Sequence, residues 1–164
     1  ALRDLPSTAS PAIDSDGNGS DLKGRIIDHI KGLGHEVEDL AYLRNHDDKD
    51  YPDVAYNLAK RIRDKEFERG ILICGTGLGM AIMANKIPGV YAGACNDVYA
   101  AERLQKSNNA QVLTLGSKVV GEESAKLISE AFVRSGFQGG RSLPKFSRMQ
   151  EIENEIMHDN HDDQ

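Results

Sequence analysis

Gly70-Ile71-Leu72-Ile73-Cys74 is an unbroken apolar run that passes directly into Gly75-Thr76-Gly77-Leu78-Gly79. A run this short, with no polar residue at alternate positions, fits a strand buried on both faces, the condition of a central strand in a parallel sheet. Parallel strands cannot be joined by a tight turn, so each neighbour must be reached through a crossover, usually a helix. The chain is thereby constrained to an α/β fold, with the glycine-rich segment turning its central strand into the next helix.

The rest of the chain keeps the same alternation. Ser20 can cap a helix running to about Leu33, where Leu22, Ile26, Ile27, Ile30 and Leu33 recur at helical spacing, and a strand near His35 to Leu40 follows. Tyr51-Pro52-Asp53 opens a helix with Val54, Leu58 and Ile62 on one face. Beyond the glycines the spacing predicts a helix to about Lys86, a strand from Val90 to Cys95, a helix from Val98 to Ser107, a strand from Gln111 to Leu115 and a helix from Glu122 to Arg134. Pro144 starts a last helix whose stripe of Phe146, Met149, Ile152 and Ile156 lies outside the alternation and needs a partner surface. The first strand, at Ala12-Ile13-Asp14, is the weak element, with Pro11 before it and an acid inside it. The architecture expected is a three-layer α/β/α sandwich with a five-stranded parallel Rossmann-like sheet and an extra C-terminal helix. Residues 1–11 and 157–164 read as tails, the latter disordered and acidic, around a domain at 12–156.

With 164 residues and a formal charge of −6, the chain suits one globular domain. The acidic balance argues against nucleic acid as a partner. The longest uncharged stretch, 70–85, falls short of the roughly 20 apolar residues of a membrane span. The opening Ala1-Leu2-Arg3-Asp4 has neither an initiator Met nor a secretory core, so the expectation is a truncated or processed cytoplasmic protein. Two cysteines make a disulfide framework unnecessary.

Glycines at 75, 77 and 79 allow several N–H groups to converge, and a helix N-terminus adds positive potential, a combination suited to an anion or a developing oxyanion. A dinucleotide fingerprint is a poorer match: the spacing is G-x-G-x-G, although Asp97 lies twenty residues beyond Gly77. Cys74 stands at the carboxyl end of the strand, where ligands bind in open α/β sheets. It could act as a base or nucleophile there, or simply be a small core residue, the reading given to Cys95. His29 and His35 read as surface residues, and His46 lies in a mixed-charge loop before Tyr51. His158 and His161 sit among aspartates that could hold a metal adventitiously, and the basic residues Lys60, Arg61, Arg63, Lys65 and Arg69 read as ordinary solvated faces.

The segment CGTGLGMAIMANKIPGV, followed by NDVYAAERLQKSNNAQVLTLGSKVVG and then FQGGR, resembles the type B ribose-5-phosphate isomerases and their galactose-6-phosphate isomerase relatives. The resemblance covers about residues 12–156 and implies metal- and cofactor-independent aldose–ketose isomerisation of a sugar phosphate through a cis-enediolate. In the family's cysteine branch the residue matching Cys74 moves the proton between C1 and C2; the glutamate branch carries its acid at the position of Met80. Backbone N–H groups of Gly75, Gly77 and Gly79 would stabilise the enediolate and Thr76 would assist. Asp16 and Asn108 match residues that hold sugar hydroxyls, and Tyr51 lies in the substrate-lining Asp-Tyr-Pro segment. Arg141 and Lys145 match the phosphate-binding pair. The resemblance further implies a homodimer or homotetramer with a shared active site.

Two departures stand out. A family histidine after Asp16 is Gly17 here, and the histidine assigned to opening the furanose ring is Ser107. The primary expectation is a ribose 5-phosphate/ribulose 5-phosphate type isomerase. The alternatives are a tetrose 4-phosphate or hexose 6-phosphate isomerase, or a non-catalytic phosphosugar- or nucleotide-binding relative.

Overall fold

The computed structural model of the protein describes residues 10–162. Five parallel strands, β1 (Ala12–Ser15), β2 (Glu38–Asp39), β3 (Gly70–Cys74), β4 (Ala92–Ala94) and β5 (Val112–Gly116), lie in the order β2-β1-β3-β5-β4. The apolar run is the central strand, as its pattern predicts, and all five of its residues are buried. Side chains of successive strand residues point to opposite faces. Ile13, Ile71, Ile73, Leu113 and Leu115 meet helices α1 (Ser20–Gly32) and α5 (Glu122–Arg134), together with Ala101 of α4 (Val98–Lys106). Ala12, Leu72, Cys74 and Val112 meet α2 (Tyr51–Arg63) and α3 (Leu78–Asn85) on the other face. The result is the expected α/β/α sandwich.

β1 is regular rather than weak: all four residues are buried and pair in register with β3, from Ala12 opposite Gly70 to Ser15 opposite Ile73. Asp14 is the reason the acid fits there. Its carboxylate accepts from the amides of Ser15 at 2.8 Å and Tyr42 at 3.1 Å, with Lys23 Nζ 3.7 Å away. The acid thus anchors the 3-10 turn at Tyr42–Asn45, which is entered through left-handed backbone at Ala41, φ 44°. Lys23 in turn donates to Asp39 at 2.9 Å, tying α1 to β2.

Several boundaries move. The expected strands over 35–40 and 90–95 contract to two and three residues because both are sheet edges with a single neighbour. Ser20 is the first residue of α1 rather than its cap; Gly19 precedes it, and Asp16 caps the short 3-10 turn at Gly17–Gly19 instead. Arg69 is not a solvated surface group. Its guanidinium donates to the carbonyls of Phe132 at 2.9 Å and Val133 at 2.6 Å, closing the C-terminus of α5, and burial pushes its pKa down to about 10. His29 is half-buried and pairs with Glu130 at 3.0 Å.

The last helix, α6 (Leu143–Asp162), runs six residues past the predicted boundary at 156, so residues 157–162 are helical rather than a tail. Residues 163–164, and most of the predicted N-terminal tail, lie outside the described residues. α6 is fastened by Glu153, which accepts from the Gly89 amide at 3.0 Å and the Tyr91 hydroxyl at 2.8 Å, and by Phe146, which packs against Tyr91 and Phe137. Met149, Ile152 and Ile156 remain exposed, as do Leu78 and Ile82 on α3. Among the described residues no helix is long and apolar enough to cross a membrane.

Burial raises the Asp14 pKa above its ordinary value, against the opposing pull of the Tyr42 and Ser15 amides and Lys23. The native state therefore holds this proton more tightly than the unfolded chain, and stability linked to it falls as pH rises through the native pKa. We expect the wild type to gain stability relative to Asp14→Asn as pH is lowered toward 4 in urea unfolding. A pH-independent difference would contradict this.

Candidate active site

Consecutive connections leave β1 and β3 in opposite lateral directions: the chain goes from β1 outward to β2, and from β3 over β5 to β4. The crevice outside the carboxyl ends of β1 and β3 is thus the topological switch point, where α/β sheets bind ligands. Asp16 and Cys74 flank it. The Asp16 amide donates to Ile73 O at 3.3 Å, and its buried carboxylate accepts from Gly19 N at 3.1 Å, so this acid is clamped at the crevice rather than displaced.

The glycine loop is shaped by close approaches. Gly77 is left-handed, φ 78°, and a Cβ there would lie 2.9 Å from the Leu115 carbonyl carbon. Its carbonyl accepts from Thr114 Oγ1 at 2.7 Å, fastening the loop to β5. A Cβ at Gly116 would fall 2.6 Å from the Thr76 backbone, and one at Gly79 would fall 2.5 Å from the Tyr51 ring. Tyr51, capped by Asp50 at the start of α2, is thereby laid against the N-terminus of α3.

Cys74 is 5% exposed, and its Sγ accepts from the Gly77 amide at 3.1 Å. That amide is directed at the sulfur rather than free to converge on a ligand as the sequence leads one to expect. Thr76 is exposed, and its Oγ1 accepts from Leu78 N at 3.2 Å, capping α3. Cys95 also lies at a strand end, but burial pushes its thiol up to about 11, with Asp97 adding to the shift.

The sequence reading missed Lys118. After β5 the Ser117 amide donates to Cys74 O at 2.8 Å and the Lys118 amide to Gly75 O at 3.0 Å. The Lys118 side chain passes over Gly75, its Cδ 3.7 Å from where a Cβ would be. Ser117-Lys118 follows a second buried strand at the same sheet edge, and that position was the available signal.

The remaining predicted residues lie elsewhere. α4 runs antiparallel to the strands, and Asn108 follows its end, shortly before β5 starts at Val112 opposite Gly70. Asn108 is therefore at the amino edge of the sheet, about 13 Å of strand away from Cys74. The Gln138 amide donates to Lys106 O at 3.1 Å, which holds the segment bearing Arg141 and Lys145 at that same edge. Both cations are exposed. One chain thus carries two separated groups of candidate residues, each a candidate half-site: Asp16, Tyr51, the loop 74–79 and Lys118 at the carboxyl edge, and Ser107, Asn108, Arg141 and Lys145 at the amino edge. His46 stacks on Tyr42, 4.0 Å between centroids, and bonds back to Tyr42 O, outside either half-site. Among the described residues no group of three or more His, Cys, Asp or Glu side chains is placed to hold a metal ion.

A family model described as Ribose/Galactose Isomerase matches residues 12–149. The chain is 46% identical over 149 residues to the D-erythrulose-4-phosphate isomerase of Pectobacterium atrosepticum, covering 91% of this chain and 98% of that one. It is 41% identical to the ribose-5-P isomerase B of Listeria innocua, over 87% and 95% of the two chains. The solved structure of ribose-5-phosphate isomerase B from Clostridium thermocellum superposes with a TM-score of 0.81 at 37% identity, over 90% of this chain and 99% of that one.

The loop contacts separate two glycine substitutions. Gly116→Ala drives a methyl into backbone and is expected to cost about 2 kcal/mol or more of stability in denaturant melts. Gly79→Ala meets only the ring of half-exposed Tyr51, which can swing away, so stability should change by less than about 1 kcal/mol while ligand affinity drops. Equal stability losses would contradict the assigned contacts.

Proposed function

The chain belongs to the ribose/galactose isomerase family of sugar-phosphate isomerases, and from that premise we propose that it interconverts the aldose and ketose forms of a tetrose 4-phosphate. The observation that carries this choice is at Ser107. The family resemblance assigns this position to the imidazole that opens a furanose ring; here it holds a hydroxyl that accepts from Arg103 Nε at 2.8 Å. An aldose phosphorylated on O4 has no free O4 to close a furanose, so its aldehyde is presented open and needs no ring-opening residue. A pentose 5-phosphate needs one, and loss of a general acid/base costs about 10²–10⁴-fold. The Pectobacterium relative, named for a tetrose phosphate, supports the same substrate class.

In the proposed reaction Cys74, as thiolate, removes the proton from C2 of the aldose, giving a cis-enediolate, and returns it to C1 to give the ketose. The carbonyl and hydroxyl oxygens exchange their proton in the same step, so no oxidant or reductant is consumed. The Gly77 amide donates to the sulfur as its charge changes. The Gly75 and Gly79 amides, at the N-terminus of α3, receive the enediolate oxygen, the kind of preorganised donor set that lowers a barrier by about 3 kcal/mol. Thr76 assists with its hydroxyl, Asp16 orients a sugar hydroxyl and Tyr51 lines the pocket. Lys118 contributes positive charge above Gly75.

The hydroxyl and phosphate contacts come from a second copy in this reading. Asn108, Arg141 and Lys145 lie about a strand length from Cys74 of their own chain, so in the proposed two-fold dimer each protomer's amino-edge group completes the other's carboxyl-edge group. The exposed apolar residues of α3 and α6 are the surface available for that contact. A non-catalytic relative would fit an irregular first strand, whereas the regular β1 with its clamped Asp16 supports a working site.

Turnover of erythrose 4-phosphate, ribose 5-phosphate, allose 6-phosphate and galactose 6-phosphate tests the assignment. We expect kcat/KM for the tetrose to exceed that for ribose 5-phosphate by about 100-fold or more, and Cys74→Ser to abolish C2 proton exchange in deuterated water while sparing ligand binding. Preference for ribose 5-phosphate, or exchange by Cys74→Ser, would overturn it.

A further inference from the structure

Arg103 belongs to none of the groups described so far, yet it touches both parts of the amino-edge half-site. On α4 its Nε donates to the Ser107 hydroxyl at 2.8 Å, and its Nη1 donates to Gln138 Oε1 at 3.3 Å. Gln138 is held a second time, its amide donating to Lys106 O at 3.1 Å. The chain then passes through two left-handed glycines, Gly139 at φ 66° and Gly140 at φ 55°, to Arg141. Downstream, Phe146 is packed against Phe137 and Tyr91. Arg141 thus follows a positive-φ glycine pair whose upstream anchor is the Arg103–Gln138 contact and whose downstream anchor is the aromatic cluster. At its other branch the same guanidinium fixes Ser107, the residue directly before Asn108.

We propose that Arg103 is a specificity-determining positioning residue, bridging Ser107 and Gln138 so that Asn108 and Arg141 are presented at one fixed spacing, matched to the short span between hydroxyl and phosphate in a tetrose 4-phosphate. This inference rests on the tetrose reading of the site. The bridge depends on the planar guanidinium, whose fork reaches two acceptors at once; a lysine ammonium in its place keeps the charge without that geometry. It also takes up one acceptor position of the Ser107 hydroxyl.

The expected signature is in KM and selectivity rather than in the chemical step. Arg103→Ala should raise KM for erythrose 4-phosphate about tenfold, the equivalent of 1.4 kcal/mol, with kcat changed less than about threefold. The kcat/KM ratio of erythrose 4-phosphate to ribose 5-phosphate should shrink by a similar factor. Arg103→Lys should behave like Arg103→Ala, and Gln138→Ala, at an exposed position, should reproduce part of the effect without adding to it in the double variant. The proposal is overturned if Arg103→Lys keeps the wild-type KM, if the two substitutions add, or if kcat falls while KM and the substrate ratio stay put. If Arg103→Ala does not fold, Arg103→Lys and Gln138→Ala carry the test by themselves. Titration with 4-phosphoerythronate, the unreactive aldonate of the tetrose 4-phosphate, reads the same loss of affinity without turnover. A wild type that prefers ribose 5-phosphate would defeat the tetrose reading, and the KM change and its non-additivity with Gln138 would then be judged on the pentose.

Discussion

In a right-handed parallel α/β unit, the helix that returns the chain to the next strand runs antiparallel to the sheet. Whatever a strand end presents and whatever the following helix's far end presents are therefore kept on opposite edges. On the proposed reading of this protein, that constraint separates chemistry from recognition. Cys74 and its glycine loop terminate β3, and Asp16 terminates β1, at the carboxyl edge. Asn108 and Arg141 follow the ends of α4 and α5, at the amino edge. Bending one chain cannot join them, because the five-residue strand between the edges is buried at every position. The proposed dimer follows from this separation: a second copy is the simplest source of the missing half.

The carboxyl-edge half is held by contacts in which backbone meets backbone. Gly116 lets β5 approach Thr76, Gly77 lies against Leu115, and Gly19 lets the turn after β1 close on Ile73, where a Cβ would fall 2.5 Å from the carbonyl oxygen. These approaches bring the ends of β1, β3 and β5 together tightly enough that Asp16, Cys74 and Lys118 line one crevice. The amino-edge half is built differently, from side chains: the Arg103 guanidinium, Gln138 and the aromatic cluster around Phe146. On the proposed reading, a reaction centre set by backbone contacts and a recognition arm held by side chains divide the work. In such an arrangement relatives could change substrate at the arm without disturbing the centre.

What the sequence revealed depends on whether each residue's role is local. The central strand and the loop after it are legible because burial on both faces and three glycines in five residues are written within ten positions. Asp14 looked like an interruption because the amide of Tyr42 and the ammonium of Lys23, which satisfy it, are distant in sequence. Arg69 looked like one more cation on a charged face because its acceptors lie 63 and 64 residues away. Family resemblance supplied the candidate residues and the expectation of a shared site, but that Asn108 falls on the edge opposite Cys74 emerges only when the direction of α4 is followed. Lys118 escapes because it falls between the predicted strand ending at Leu115 and the helix starting at Glu122, while its packing on Gly75 is a tertiary contact.

Mixing two inactive variants tests the division of the site most directly. Cys74→Ser removes the reaction centre and Arg141→Ala removes the recognition arm. If each site draws one half from each protomer, a mixed dimer places both defects in one site and leaves the other intact. With random pairing, co-assembled variants should recover about a quarter of wild-type activity, from a background of essentially none for each variant alone. A mixture as inactive as its components would contradict the shared site and require one chain to bring its two edges together.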